Sequence, residues 1–184
     1  DTLSIDEYAF SNDESKILFT TNSEQIYRHS SESDVYIWDF NEKKLINVTA
    51  NGKVRLAELS PDGKKVGYVR NNNLYQLDLA TNAEVAVTTD GKINEIINGT
   101  TDWVYEEEFG FTKGWFWSPD SRRIAFYRFD ESRVKEFQLT KYGDLYPEYY
   151  RYKYPKAGED NSLVDIYIYD MISGKSVKVD VGTE

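Results

Sequence analysis

Apolar and polar residues alternate through most of the chain, and the alternation comes in repeating blocks. Three segments share one pattern. Ser11-Asn12-Asp13 leads to Ile17 and Phe19, Ser60-Pro61-Asp62-Gly63 to Val66 and Tyr68, and Ser118-Pro119-Asp120 to Ile124 and Phe126. In each, Asp stands two after Ser, an aliphatic residue six after and an aromatic eight after. Pro fixes φ and Asp bonds its own backbone, so the polar start predicts a turn. The period of two that follows predicts a half-buried strand.

Each such segment is answered by a second one. Val35 to Phe40, Leu74 to Leu79 and Ile166 to Met171 are β-rich runs in which Asp39, Asp78 and Asp170 precede a polar hairpin turn. Short return strands follow, such as Glu84 to Thr88 and Ser176 to Val179. The expected fold is therefore all-β: a partial β-propeller of about three four-stranded antiparallel blades, over residues 8–50, 51–90 and 115–184. A meandering sandwich also spaces strands this way, but here both halves of the unit repeat. Trp38-Asp39 matches a WD dipeptide, yet its Gly-His partner is missing and the other units have Leu-Asp and Tyr-Asp. Three units are too few to close a ring, so the chain is expected to be a piece of a larger protein. Its open strand edges predict self-association into a homo-oligomer.

Composition agrees. Among 184 residues there are 15 Tyr, 9 Phe and 4 Trp, which suit pleated, half-buried surface. The absence of cysteine excludes disulfides and thiolate chemistry, and one histidine leaves little room for a histidine metal site. No cofactor is expected. A formal charge of −10 disfavours nucleic acid as a partner.

Function is expected where the repeat is interrupted, since insertions fall in loops on one face. From the Ser of the turn to the Asp before the hairpin the second unit takes 18 residues, the first 28 and the third 52. The first insertion carries Gln25 to Ser30, including Arg28 and His29; the third carries the Tyr-dense stretch 142–158. An irregular acidic segment, 91–114, separates the second and third units and holds Asp102-Trp103-Val104-Tyr105-Glu106-Glu107-Glu108-Phe109. Thr101 or Asp102 is expected to cap a short helix there. The glutamates would lie in its first turns, where the helix dipole favours negative charge, and Trp103, Tyr105 and Phe109 would anchor it. Read from the residues alone, the glutamates are either solvated surface or a site for a cation: ammonium, guanidinium or a hard metal. Consecutive helical carboxylates diverge, which disfavours the metal. His29 reads as structural, since no Gly-x-Ser-x-Gly elbow supplies it with a serine. Asn47-Val48-Thr49 and Asn98-Gly99-Thr100 are glycosylation sequons.

Together, the stretch Asp102 to Phe109, Tyr27-Arg28-His29-Ser30, Trp115-Phe116-Trp117-Ser118-Pro119 and Tyr154-Pro155-Lys156-Ala157-Gly158 resemble the dipeptidyl peptidase IV family of serine peptidases, in the family's order and at similar spacing. The resemblance implies an eight-bladed propeller that caps a C-terminal α/β-hydrolase domain. It implies that Glu107 and Glu108 bind the N-terminal ammonium of a peptide substrate. It also implies that Arg28 holds those carboxylates and binds a backbone carbonyl, and that dipeptides with Pro or Ala second are released. The triad would lie in the C-terminal domain, outside this sequence, so the chain alone should be inactive. The Gly110-Phe111 that follows Phe109 stands where substrate-flanking residues vary among relatives. The family further implies a secreted, periplasmic or cell-surface location, and the cysteine-free composition points to a bacterial source. The rival expectation is a non-catalytic propeller scaffold that binds other proteins.

Overall fold

The computed structural model describes residues 4–143 and 145–182; position 144 of the Tyr-dense insertion and 183–184 of the third unit lie outside the described residues. Four strands, β1 (Glu7–Phe10), β2 (Lys16–Gln25), β3 (Ser31–Asp39) and β4 (Lys44–Asn47), form the first antiparallel sheet in the order β1-β2-β3-β4. The second sheet repeats this with β5 (Arg55–Leu59), β6 (Lys65–Arg70), β7 (Asn73–Asp78) and β8 (Ala83–Ala86). Then come β9 (Ile96–Asn98), the helix α1 (Trp103–Phe109), β10 (Trp115–Trp117), β11 (Arg123–Asp130), β12 (Glu136–Lys141), β13 (Glu148–Lys153), β14 (Leu163–Asp170) and β15 (Lys175–Lys178). The third sheet runs β10-β11-β14-β15.

The expected count of three four-stranded blades needs correcting. The short β9 pairs with the far end of β11 and makes the third sheet five-stranded. The Tyr-dense insertion folds into a separate two-stranded sheet, β12-β13.

The repeat has a common chemistry. In each turn the Ser hydroxyl donates to the Asp two residues on (Ser11–Asp13 2.7 Å, Ser60–Asp62 2.7 Å, Ser118–Asp120 2.6 Å). The same oxygen accepts the amide of the residue five after it, Lys16, Lys65 or Arg123. That basic residue lies directly across the ladder from Asp39, Asp78 or Asp170 and forms an ion pair with it, at 3.2, 2.7 and 3.7 Å. The paired Asp also accepts two amides of the hairpin turn that follows. Aromatic cross-strand pairs recur at one register: Phe19–Tyr36, Tyr68–Tyr75 and Phe126–Tyr167 stack at 5.6–5.9 Å between centroids.

The sheets pack face to face in chain order. Leu18, Val35 and Ile37 of the first meet Val66, Tyr68 and Leu77 of the second in one core. Val69 and Leu74 of the second meet Trp115, Ile124 and Phe126 of the third in another. The second sheet is thus covered on both faces, and Val66 to Val69 is buried without alternation. Gly67 lets Trp115 approach the β6 backbone; an added Cβ would lie 2.6 Å from the indole. Successive turns also touch, through Asn12 Nδ2 to the Pro61 carbonyl (3.0 Å) and the Asp62 amide to Ser121 Oγ (3.0 Å).

Candidate functional site

Both insertions within the units fall between the second and third strands, at the β2–β3 and β11–β14 connections, so they emerge at one end of the stacked sheets. The second unit closes the same position with the tight turn Asn71-Asn72, both at positive φ. The helix α1 lies among these loops.

Seven residues are too few for a helix to be stable alone, so its ends and one face hold α1. Asp102 is the N-cap: its carboxylate accepts the Tyr105 amide (3.0 Å) and the Ser162 hydroxyl (2.6 Å). Gly110 ends the helix in the left-handed conformation at φ 72° and returns its amide to the Tyr105 carbonyl. Tyr105 packs edge-on against buried Phe129 of β11, centroids 4.9 Å apart. Trp103 packs on Tyr154 (4.7 Å) and Tyr152 (5.9 Å) of the inserted hairpin, and Tyr152 reaches Tyr27 of the β2–β3 loop (6.2 Å). Phe109, expected as a third anchor, is instead 62% exposed, its ring edge-on to Tyr105 at 4.9 Å, at the last position of α1 beside the Gly110 cap.

The three glutamates occupy three environments. Glu106 is buried at 1% exposure, and its Oε1 accepts the His29 backbone amide at 2.8 Å. Glu107 is half-buried and pairs with the mostly exposed Arg28, Nε to Oε2 3.5 Å. Glu108 is exposed and borders a cavity of about 240 Å³ with Trp103, Tyr154, Pro155, Lys156 and Gly158. The row of three glutamates therefore splits, because about 100° of helical rotation per residue turns one inward, one to the loop and one to solvent. Arg28 and Glu107 come together, with Glu108 next to Glu107 on the helix. Three of the four stretches that carry the family resemblance converge here. The fourth, Trp115 to Pro119, instead builds the contact between the second and third sheets.

Sequence reasoning missed several nearby groups. Glu131 is buried near the Asp102 end of the helix; burial first, then the Asp102 charge, pushes its carboxyl up to about 7. Tyr27 is pushed well above the usual phenol range by burial and by Tyr150. Arg55, in β5, lines two cavities. One of about 350 Å³ also touches His29 and Ser30, and one of about 290 Å³ touches Tyr27, Asp102 and Glu131. Of these only Tyr27 left a readable trace, as the first residue of the Tyr27-Arg28-His29-Ser30 stretch. The His29 imidazole makes no hydrogen bond among the described residues, and its backbone serves the structure instead. Among the described residues, no cluster of three or more His, Cys, Asp or Glu side chains suited to a metal occurs, and no helix is long and apolar enough to cross a membrane. Asn98 is fully buried, which closes the second sequon to glycosylation in the folded chain.

Known proteins share this sequence and fold. The chain is 36% identical over 180 residues to dipeptidyl aminopeptidase B of Saccharomyces cerevisiae, covering 95% of this chain and 22% of that protein. It is 35% identical over 172 residues to dipeptidyl peptidase 4 of Sus scrofa, again covering 22% of the relative. The chain thus spans about a fifth of the length of the curated relatives it matches. The crystal structure of Porphyromonas gingivalis dipeptidyl peptidase 4 superposes with a TM-score of 0.93 at 44% identity, over 98% of this chain and 26% of that one. Residues 11–184 match the family described as the dipeptidyl peptidase IV (DPP IV) N-terminal region, and the chain belongs to that family.

Proposed function

We propose that this chain is the substrate-recognition part of a propeller domain in a dipeptidyl peptidase IV-like serine exopeptidase, where Glu107 and Glu108 receive the N-terminal ammonium of a peptide. The observation that carries the reading is the Arg28–Glu107 pair at the insertion end of the sheets, with Glu108 next on the same helix. An ammonium has three donors, and two carboxylates supply acceptors enough for them. Arg28 offsets the excess negative charge and keeps a planar fork of donors free for a carbonyl. A fixed ammonium acts as a ruler: it sets how far the scissile bond lies from the N-terminus, which selects dipeptide release, and the family resemblance adds Pro or Ala as the second residue.

The nucleophile belongs, in this reading, to a C-terminal α/β-hydrolase domain that the propeller covers, and this chain alone is inert toward Ala-Pro substrates. Further blades are supported by the outer faces of the first and third sheets, where Tyr8, Phe10, Phe40, Ile168 and Val177 are exposed. Sheet-edge strands such as β1 and β15, each paired on one side among the described residues, support self-association of the isolated chain. A secreted, periplasmic or surface location in a bacterium rests on the cysteine-free sequence and on likeness to the Porphyromonas enzyme; the fungal and mammalian relatives do not select a source.

The test is kcat/KM on one dipeptide substrate for the complete protein and its Glu106→Ala, Glu107→Ala, Glu108→Ala and Arg28→Ala variants. Removing either Glu107 or Glu108 should lower it by roughly 30-fold or more, the equivalent of about 2 kcal/mol for a desolvated charge pair. Near-wild-type values for Glu107→Ala, Glu108→Ala and Arg28→Ala together would refute the ammonium site.

A further inference from the structure

Beneath the exposed pair lies a second arrangement of charge. Glu106 Oε2 is buried with no hydrogen-bond partner among the described residues, and Arg55 Nε and Nη2 are in the same condition. Arg55 Nη1 reaches Thr100 Oγ1, a fully buried hydroxyl just before α1, at 3.5 Å. Burial draws the Arg55 guanidinium below its ordinary range, and the Glu106 charge is the largest influence opposing this, ahead of Tyr27 and Glu32. Buried groups of this kind are satisfied in folded proteins, and one left alone costs heavily.

The backbone is bent to put Arg55 there. The β5–β6 register slips between Arg55 and Glu58, and Leu56 within the slip sits at φ 54°, a left-handed conformation that costs a non-glycine residue stability. A bulge of this type turns a strand side chain away from the direction its neighbours dictate. Here it carries Arg55 between the cavities under the β2–β3 loop and under α1.

We propose that Arg55 is a positioning residue: it is the buried counter-charge of Glu106, and through the Glu106–His29 bond it fixes the loop that presents Arg28. Glu106 Oε1 holds the His29 amide, and inside the loop Gln25 Nε2 donates to the Arg28 carbonyl while the Ile26 and Tyr27 amides are bound by Ser30. The Arg28 side chain leaves this frame to meet Glu107. The three glutamates then divide the work, the first building the loop and the next two facing the ligand. The effect on turnover rests on the ammonium-site reading; the effect on the loop does not.

The experiment compares Arg55→Met and Arg55→Lys in the complete protein, with Glu107→Gln alongside. Hydrogen exchange of the His29 amide should quicken about tenfold or more in Arg55→Met, while β6 and β7 amides keep their wild-type rates. KM for a dipeptide substrate should rise about tenfold with kcat little changed, as for a displaced binding group, and Arg55→Lys should recover part of both. Unchanged His29 exchange, or equal acceleration through β6 and β7, would overturn the proposal. So would a local change in exchange with KM unmoved while Glu107→Gln raises it. If exchange changes locally and neither variant moves KM, the ammonium site fails and the role of Arg55 in the loop stands.

Discussion

Replacing Asp102 by Ala tests how the acidic helix is held. Asp102 is 6% exposed, and its carboxylate caps α1 through the Tyr105 amide and ties it to Ser162. Loss of an N-cap costs about 0.5–2 kcal/mol, and loss of a hydrogen bond to a charged group about 1.5–3 kcal/mol. Removing the charge also relieves Glu131, whose raised carboxyl Asp102 helps to create, so the net is smaller than the sum, about 2–3 kcal/mol. For a domain of this size that lowers Tm by roughly 4–12 °C. Asp102→Asn keeps an acceptor for the cap and should lose about half as much. The assay is thermal and urea unfolding of wild type and both variants, with Ser162→Ala to isolate the second bond. A shift under about 1 °C for Asp102→Ala would refute the view that the cap, and not packing of Trp103 and Tyr105 alone, holds the helix.

Two further outcomes follow from buried contacts. Gly67→Ala places a methyl 2.6 Å from the fully buried Trp115 ring and should cost about 1–3 kcal/mol by overpacking, read as a lower urea midpoint; an unchanged midpoint would show that the second and third sheets are not in close contact. Glu131 titrates near 7 in the folded chain against an ordinary value of 4.5; the folded state therefore holds its proton longer than the unfolded one, and stability falls as pH rises from about 4.5 through 7. Glu131→Gln should remove that fall and be the more stable protein above pH 7, by on the order of 3 kcal/mol at most, in unfolding curves across pH 5–8.

The repeating units were legible because a local chemical device marks each one: a Ser hydroxyl and an Asp in the turn, then alternating strands. The basic residue five after each Ser was not legible as part of this device, because its role appears only once the register pairs Lys16 with Asp39. Strand β9 was not, since three residues, Ile96 to Asn98, carry too little pattern to separate a strand from a loop. The inserted hairpin was hidden by exposure: most of Glu136 to Lys141 and Glu148 to Lys153 faces solvent, so neither run alternates cleanly. In the site, the motif marked the helix and Arg28, but three identical carboxylates give no sign of which is buried. That depends on the rotation of α1 against the β2–β3 loop. Arg55 left no trace because a basic residue in a strand is ordinary until a bulge turns it inward.

The central claim is that Glu107 and Glu108 read a free N-terminus. Its most direct test measures kcat/KM of the complete protein for one dipeptide substrate with a free amine and for its N-acetylated counterpart, in wild type and in Glu107→Gln. Wild type should prefer the free amine by about 100-fold or more, and Glu107→Gln should erase most of that preference by slowing the free substrate alone. Equal turnover of the two substrates by wild type, or a preference that survives in Glu107→Gln, would contradict the account.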